Sequence, residues 1–213
     1  MTDKIRFSLF LLLLFMIGII GYWIFRIMNN AVPYVDQWTR EPVEQLANTG
    51  MYSIFRWITE LGSSTFTIPL VIIMGMILWR MYQNWLPALV FSGGTLATHY
   101  LNVAIKHLVN RERPSILAAA NAEGHSFPSG HAMISMVCYG LLAYFFSKKV
   151  KSSKKKLFIE CFFALLILLI GVSRYIINVH YLTDVLAGFF IGFLCLIACI
   201  YLFQFLMRKQ RSV

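Results

Sequence analysis

Apolar runs about as long as a bilayer is thick recur along this chain, and no other feature limits its fold so severely. A helix needs roughly 20 mostly apolar residues to cross the hydrocarbon layer, and only helices or closed barrels satisfy their backbone groups there. Such runs occupy residues 7–25, 66–79, 86–108, 130–146, 157–177 and 185–207, the second short but extendable on both sides. The expectation is an all-α integral membrane protein, a six-transmembrane-helix bundle forming one membrane-embedded domain over residues 1–213. Composition agrees. The chain is 59% hydrophobic and 13% charged, where soluble domains run at about 45–50% and about 25%.

The first run has a basic start, Lys4 and Arg6, as a signal peptide would. It ends in the bulky Gly21-Tyr22-Trp23-Ile24, with no small-x-small cleavage site, so an uncleaved first span is expected. Residues 29–62 are polar and mildly acidic. Within them Leu46, Met51, Ile54, Phe55, Ile58 and Leu61 recur near helical spacing. This predicts a short amphipathic helix between spans one and two, lying on the membrane surface or packed on its own bundle.

The net charge of +10 could attract nucleic acid or anionic lipid. Most of the basic residues flank apolar runs, which is the signature of topology and headgroup contact; no nucleic-acid partner is expected, and no obligate protein partner is evident. Cys138, Cys161, Cys195 and Cys199 all fall inside apolar runs without metal-ligand spacing, which argues against structural zinc and redox chemistry. Gly188 and Gly192 form a GxxxG expected to pack helices within the bundle, and Gly93-Gly94 allows another close approach.

With six spans, one side receives Lys4, Arg6, Arg80, six lysines between 148 and 156, Arg208, Lys209 and Arg211. The other receives Arg26, Arg40, Arg56, Lys106, Arg111, Arg113 and Arg174. Twelve against seven puts both termini in the cytoplasm. Three polar stretches then share the outer face: 106–114 (KHLVNRERP), 128–131 (PSGH) and 171–184 (GVSRYIINVHYLTD).

Ionisable groups at such a place need a reason. In Pro128-Ser129-Gly130-His131 a capping serine opens an apolar helix, whose unpartnered first-turn N–H groups and dipole favour an anion. Gly130 lets an anion near the backbone, and His131 faces it. Lys106 and Arg113, seven apart, fall on nearly one helix face before Pro114, and an ammonium with a guanidinium fork suits a phosphoryl group. Neighbouring Arg111 reads instead as a cation snorkelling to the membrane edge. Arg174 stands on the side the positive-inside rule disfavours. His180 and Asp184 are four apart, so a carboxylate would fix the imidazole tautomer and raise its pKa; taken alone, the pair also fits a merely structural hydrogen bond. His99, inside the third span, is expected to be buried and hydrogen-bonded, and His107 to point away from Lys106. His125 and Glu123 stand near the motif and could touch a headgroup.

Together, Lys106-x6-Arg113-Pro114, Pro128-Ser129-Gly130-His131 and Ser173-Arg174-x5-His180-x3-Asp184 resemble the three-part signature of the type-2 phosphatidic acid phosphatase superfamily, which extends to vanadium-dependent haloperoxidases. The resemblance implies that His180 is a nucleophile forming a phosphohistidine, that Asp184 orients it, and that His131 protonates the leaving group and then activates water. It also implies that Lys106, Arg113, Arg174, Ser129 and the Gly130 N–H bind the phosphoryl oxygens, with no metal or other cofactor. Ser173 matches too, with packing or capping as its other role. The expected activity is a metal-independent lipid phosphate phosphatase at the outer face of a bacterial cytoplasmic membrane, cleaving phosphatidylglycerol phosphate to phosphatidylglycerol. Undecaprenyl pyrophosphate is the alternative substrate. A haloperoxidase would call for a longer, soluble chain, and a non-catalytic lipid-binding or transport module would not require His180 with Asp184.

Overall fold

The structure is a computed structural model that describes residues 3–46, 49–114 and 124–211. Among these, eight helices follow one another: α1 (Asp3–Met28), α2 (Tyr34–Leu46), α3 (Gly50–Glu60), α4 (Ser64–Tyr82), α5 (Leu86–Val109), α6 (Gly130–Lys149), α7 (Ser153–Ile176) and α8 (Leu182–Arg211). The protein is an all-α, multi-pass membrane protein. Large apolar side chains such as Phe15, Ile72, Phe158 and Phe205 stand exposed on the outside of the bundle, where lipid and not water is the solvent.

Helix α6 is the axis. It packs on α5, α7 and α8, and Val137, Leu141 and Phe145 along it are fully buried against Leu78, Phe91, Ile170 and Phe203. The Phe145 and Phe203 rings meet edge to face at 5.0 Å. With no hydrophobic drive between helices in lipid, such contacts need close shape matching. The GxxxG supplies it as expected: a Cβ on Gly188 would lie 2.7 Å from the Ser129 carbonyl oxygen, and one on Gly192 would lie 2.7 Å from that of Met133. Gly94 likewise abuts Cys199, whereas Gly93 faces open space.

The expected count of six spans is not met as drawn. Among the described residues, five stretches are long and apolar enough to cross a membrane: Lys4–Met28, Gly50–Tyr82, Gly130–Lys149, Ser153–Ile176 and Leu182–Gln210. The 24-residue α5 has the length but not the hydropathy. It turns Thr95, Thr98 and Asn102 into the bundle, where protein and not lipid surrounds them.

The single amphipathic helix expected before the second span is two helices. Helix α2 contacts α7 and α8. Helix α3 packs on α7, with Tyr52 and Phe55 against Ile177 and Val179, while Ile54 and Trp57 stay exposed on its other side. The alternative of packing on the bundle thus holds for α3. The Tyr175 hydroxyl donates to the Thr39 carbonyl, fastening α2 over the end of α7.

Turn chemistry then brings four helix ends together. Asn110 ends α5 at φ 50, in the left-handed region that asparagine tolerates, and its N–H bonds the Lys106 carbonyl. Asn178 at φ 57 reverses the chain after α7. Because successive helices run antiparallel, the end of α5, the start of α6, the end of α7 and the start of α8 share one end of the bundle. The C-terminal half of α1 reaches the same end through Ile20, Ile27, Val109 and Phe127, so both described termini lie at the other.

Candidate active site

The three polar stretches, far apart in sequence, meet at that shared end. The Ser129 side chain accepts from the Ala132 N–H at 3.5 Å, starting α6, and the Ser129 N–H donates to the Asp184 carbonyl at 3.0 Å, tying α6 to α8. Asn102 also holds this segment. Its Nδ2 donates to the Pro128 carbonyl at 3.1 Å, and a Cβ on Gly130 would stand 2.9 Å from its Oδ1. Glycine at 130 is therefore required by Asn102, whatever else its backbone does.

His180 is buried just before α8. Its Nδ1 lies 3.4 Å from Asp184 Oδ2, and its Nε2 lies 3.1 Å from Arg113 Nη1. The second Asp184 contact that fixes this arrangement comes from the backbone, since the Tyr181 N–H donates to Oδ2 at 2.9 Å. The expected rise in the His180 pKa is reversed. Burial, then the charges of Arg113, Arg174 and Lys106, push it well below the ordinary 6.5. The expectation weighed one carboxylate; desolvation and three cations outweigh it. The ring is neutral at neutral pH, and with its Nδ1 proton toward Asp184 the lone pair sits on Nε2.

Lys106 Nζ donates to the His125 carbonyl at 2.5 Å. Arg113 donates from Nη1 to the Val179 carbonyl at 2.8 Å and from Nε to the Gly124 carbonyl at 2.9 Å. Arg174 is buried at the end of α7, and its Nη1 donates to Thr59 Oγ1 on α3 at 3.0 Å. His131 lies close enough to Arg174, His180, Lys106 and Arg113 for their charges to act on its ring. All eight residues singled out in the sequence therefore gather in one place. Three cations this close repel one another strongly in a low dielectric, a field suited to a multiply charged anion. Ser173 is buried and donates to the Ile170 carbonyl at 2.6 Å within its own helix, the packing alternative.

Two expectations fail here, for Arg111 and His99. Arg111 is not a snorkelling cation: it is buried, with Nη1 2.5 Å from Asp184 Oδ1 and Nη2 2.7 Å from Asp36 Oδ2. Asp36 and Asp184 hold it inside the bundle, because two buried carboxylates without a bound cation would be costly. His99 is exposed on the outer side of α5, its ring edge-on to Tyr100. His107 does point away from Lys106: it is exposed and meets the His125 ring at 5.7 Å. Glu123 lies outside the described residues. Sequence reasoning also missed Asp36, Asn102, Ser126 and Thr183; the Ser126 hydroxyl donates to Asp184 Oδ2 and lies 3.4 Å from His180 Nδ1. Ser126 stands two residues before Pro128 and could have been flagged by position. Asp36 had no local signal.

The chain is similar to known proteins along most of its length. A family model described as the PAP2 superfamily matches residues 87–208. The chain is 33% identical over 172 residues to Phosphatidylglycerophosphatase B of Bacillus subtilis (strain 168), covering 79% of this chain and 83% of that protein. It is 26% identical over 174 residues to the Dolichyldiphosphatase of Saccharomyces cerevisiae, covering 76% of this chain and 66% of that one. A crystal structure of a transmembrane PAP2 type phosphatidylglycerolphosphate phosphatase from Bacillus subtilis superposes with a TM-score of 0.74 at 26% identity, over 86% of this chain and 93% of its own. Aquifex aeolicus LpxE shares the fold, with a TM-score of 0.58 at 24% identity over 76% and 93%. A matched region containing all three polar stretches, a relative alike along most of its length and a common bundle lead to one conclusion: the chain belongs to the PAP2 superfamily and is a membrane-embedded enzyme of its phosphatase class.

Proposed function

We propose that this enzyme hydrolyses the phosphomonoester of a membrane lipid through a phosphohistidine on His180, and that its substrate is phosphatidylglycerol phosphate. The observation that carries the reading is His180 itself, with Nδ1 toward Asp184 and Nε2 toward Arg113. Nε2 attacks phosphorus, a P–N bond forms, and the P–O bond to the lipid glycerol breaks. His131 gives its proton to the departing oxygen. The same imidazole then takes a proton from water as that water attacks phosphorus and cleaves the P–N bond, releasing inorganic phosphate.

Lys106, Arg113 and Arg174, with Ser129 and the Gly130 N–H, hold the phosphoryl oxygens as charge spreads over them. Phosphoryl transfer asks a protein chiefly for this positioning and charge stabilisation. Arg174 Nε is buried with no partner among the described residues, so it has a donor to offer. These cations do the work without a metal, so EDTA leaves turnover intact; inhibition reversed by added magnesium would count against this part. The headgroup rests on the 33% identical relative, named for phosphatidylglycerophosphate. The yeast relative, named for a dolichyl diphosphate, favours a second reading, undecaprenyl pyrophosphate.

Phosphate release from purified enzyme, offered lipid monophosphates and polyprenyl diphosphates side by side, decides between them. The first reading expects phosphatidylglycerol phosphate to have the highest kcat/KM. His180→Ala should remove at least about 1,000-fold of the activity, in line with loss of a nucleophile. Wild-type turnover in that variant would end the reading.

A further inference from the structure

Asp36 lies on α2, outside the region matched by the family, yet it is fully buried beside Asp184. Its Oδ2 accepts from Arg111 Nη2 at 2.7 Å and from the Thr183 hydroxyl at 2.6 Å, and its Oδ1 accepts from the Thr183 N–H at 3.0 Å. Arg111 Nη1 in turn donates to Thr183 Oγ1 at 2.9 Å and to Asp184 Oδ1 at 2.5 Å. The guanidinium also lies 3.8 Å from the centre of the Tyr181 ring. One buried cation is thus shared between two buried carboxylates, and the second carboxylate caps the first turn of α8.

We propose that Asp36 is a positioning residue for the phosphatase reaction, acting through Arg111 and Thr183 to hold Asp184 against His180. The proposal rests on the reading of His180 as nucleophile. As Nε2 bonds phosphorus the imidazole becomes cationic, and the Asp184 charge is what meets that change. A lone Arg111 would neutralise Asp184. With Asp36 on its far side, Arg111 is already balanced, so the three groups together carry one net negative charge toward the ring. Asp36 also leaves Asp184 Oδ2 free of Arg111, which is bound only at Oδ1, so Oδ2 faces Nδ1. Neither effect touches Lys106, Arg113 or Arg174, which meet the substrate.

The test is steady-state turnover of the full-length enzyme on lipid phosphate, with kcat counted per orthovanadate-binding site so that only folded molecules contribute. Asp36→Asn should lower kcat about 10- to 100-fold, the loss typical when a supporting shell is removed, with KM and vanadate affinity within about threefold of wild type. Asp36→Glu should recover part of the loss. Arg111→Met should also lower kcat, and adding Asp36→Asn to it should cost little more, because the two act as one unit. Wild-type kcat in Asp36→Asn, or two losses that simply multiply, would overturn the proposal. If Asp36→Asn binds no vanadate, Thr183→Val takes its place, since it removes the bridging hydroxyl at nearly constant shape; unchanged kcat there overturns the proposal equally. Asp184→Asn is run in parallel. If it keeps full turnover, the reading of the site fails; if it loses turnover while Asp36→Asn does not, this proposal alone fails.

Discussion

At the scale of single residues, the site is governed by what burial does to charge. His180 carries a carboxylate neighbour that would raise its pKa, yet dehydration and three cations carry it the other way. The sign has two consequences. A base with a lowered pKa keeps its lone pair further into acid, so the acid limb of kcat/KM should fall below pH 6.5 and not across it, which a pH–rate profile will show. Folding also excludes a proton that the unfolded chain accepts, so this histidine contributes its full stability above about 6.5 and loses it progressively as pH falls toward the folded pKa. Denaturation midpoints in detergent should decline over that range, and His180→Gln should flatten the decline. Arg113 makes directional bonds from two edges of its fork, to Val179 and Gly124. Lysine cannot reproduce them, so Arg113→Lys should lower kcat/KM at least about 10-fold; equal activity would show that charge alone suffices. The motif cations, the helix-capping serine and the histidine–aspartate pair were legible one by one because each is a residue type that phosphoryl chemistry uses. Arg111 was not, because two cations two positions apart look alike until their partners are known.

At the scale of elements, close packing places the chemistry. The turn before α4 presses Gly62 on the site: a Cβ there would lie 2.9 Å from His131 Cδ2 and 2.5 Å from Ile170 Cγ2. Gly62→Val should therefore displace the His131 ring and cut kcat at least about 10-fold. Gly93→Ala, at a glycine with open space around it, should be silent. A Gly62 variant with wild-type kcat would show that His131 can give way. Gly188→Val meets the Ser129 backbone, which cannot yield easily, and overpacking of this kind costs about 1–3 kcal/mol; a lowered Tm in detergent would register it. The helices themselves were readable from hydropathy, to within a few residues at each end. The splitting of residues 29–62 into α2 and α3 was not, since each is amphipathic only with respect to the surface it happens to cover. For the same reason α5 read as a span: its apolar length is evident, whereas the protein neighbours that shelter Thr95, Thr98 and Asn102 are not.

At the scale of the whole molecule, four helix ends at one end of the bundle create the site, and the described termini lie at the other. The positive-inside bias of the loops supports our proposal that the site lies on the outer face. In intact cells a membrane-impermeant maleimide should label a cysteine introduced at the exposed Glu112 and spare one at the exposed Ser152. The reverse pattern would turn the enzyme over in the membrane. The sequence by itself determined that this chain lives in a bilayer, roughly where its helices run, and which residues are candidates to meet a phosphate. All of these are properties of short stretches, set by local hydropathy and by side-chain chemistry. Only the tertiary structure decided that Asp36, Arg111 and Asp184 share one buried charge network, and that His180 is held neutral. Those outcomes depend on which groups are dehydrated together, and dehydration is a property of distant segments brought into contact.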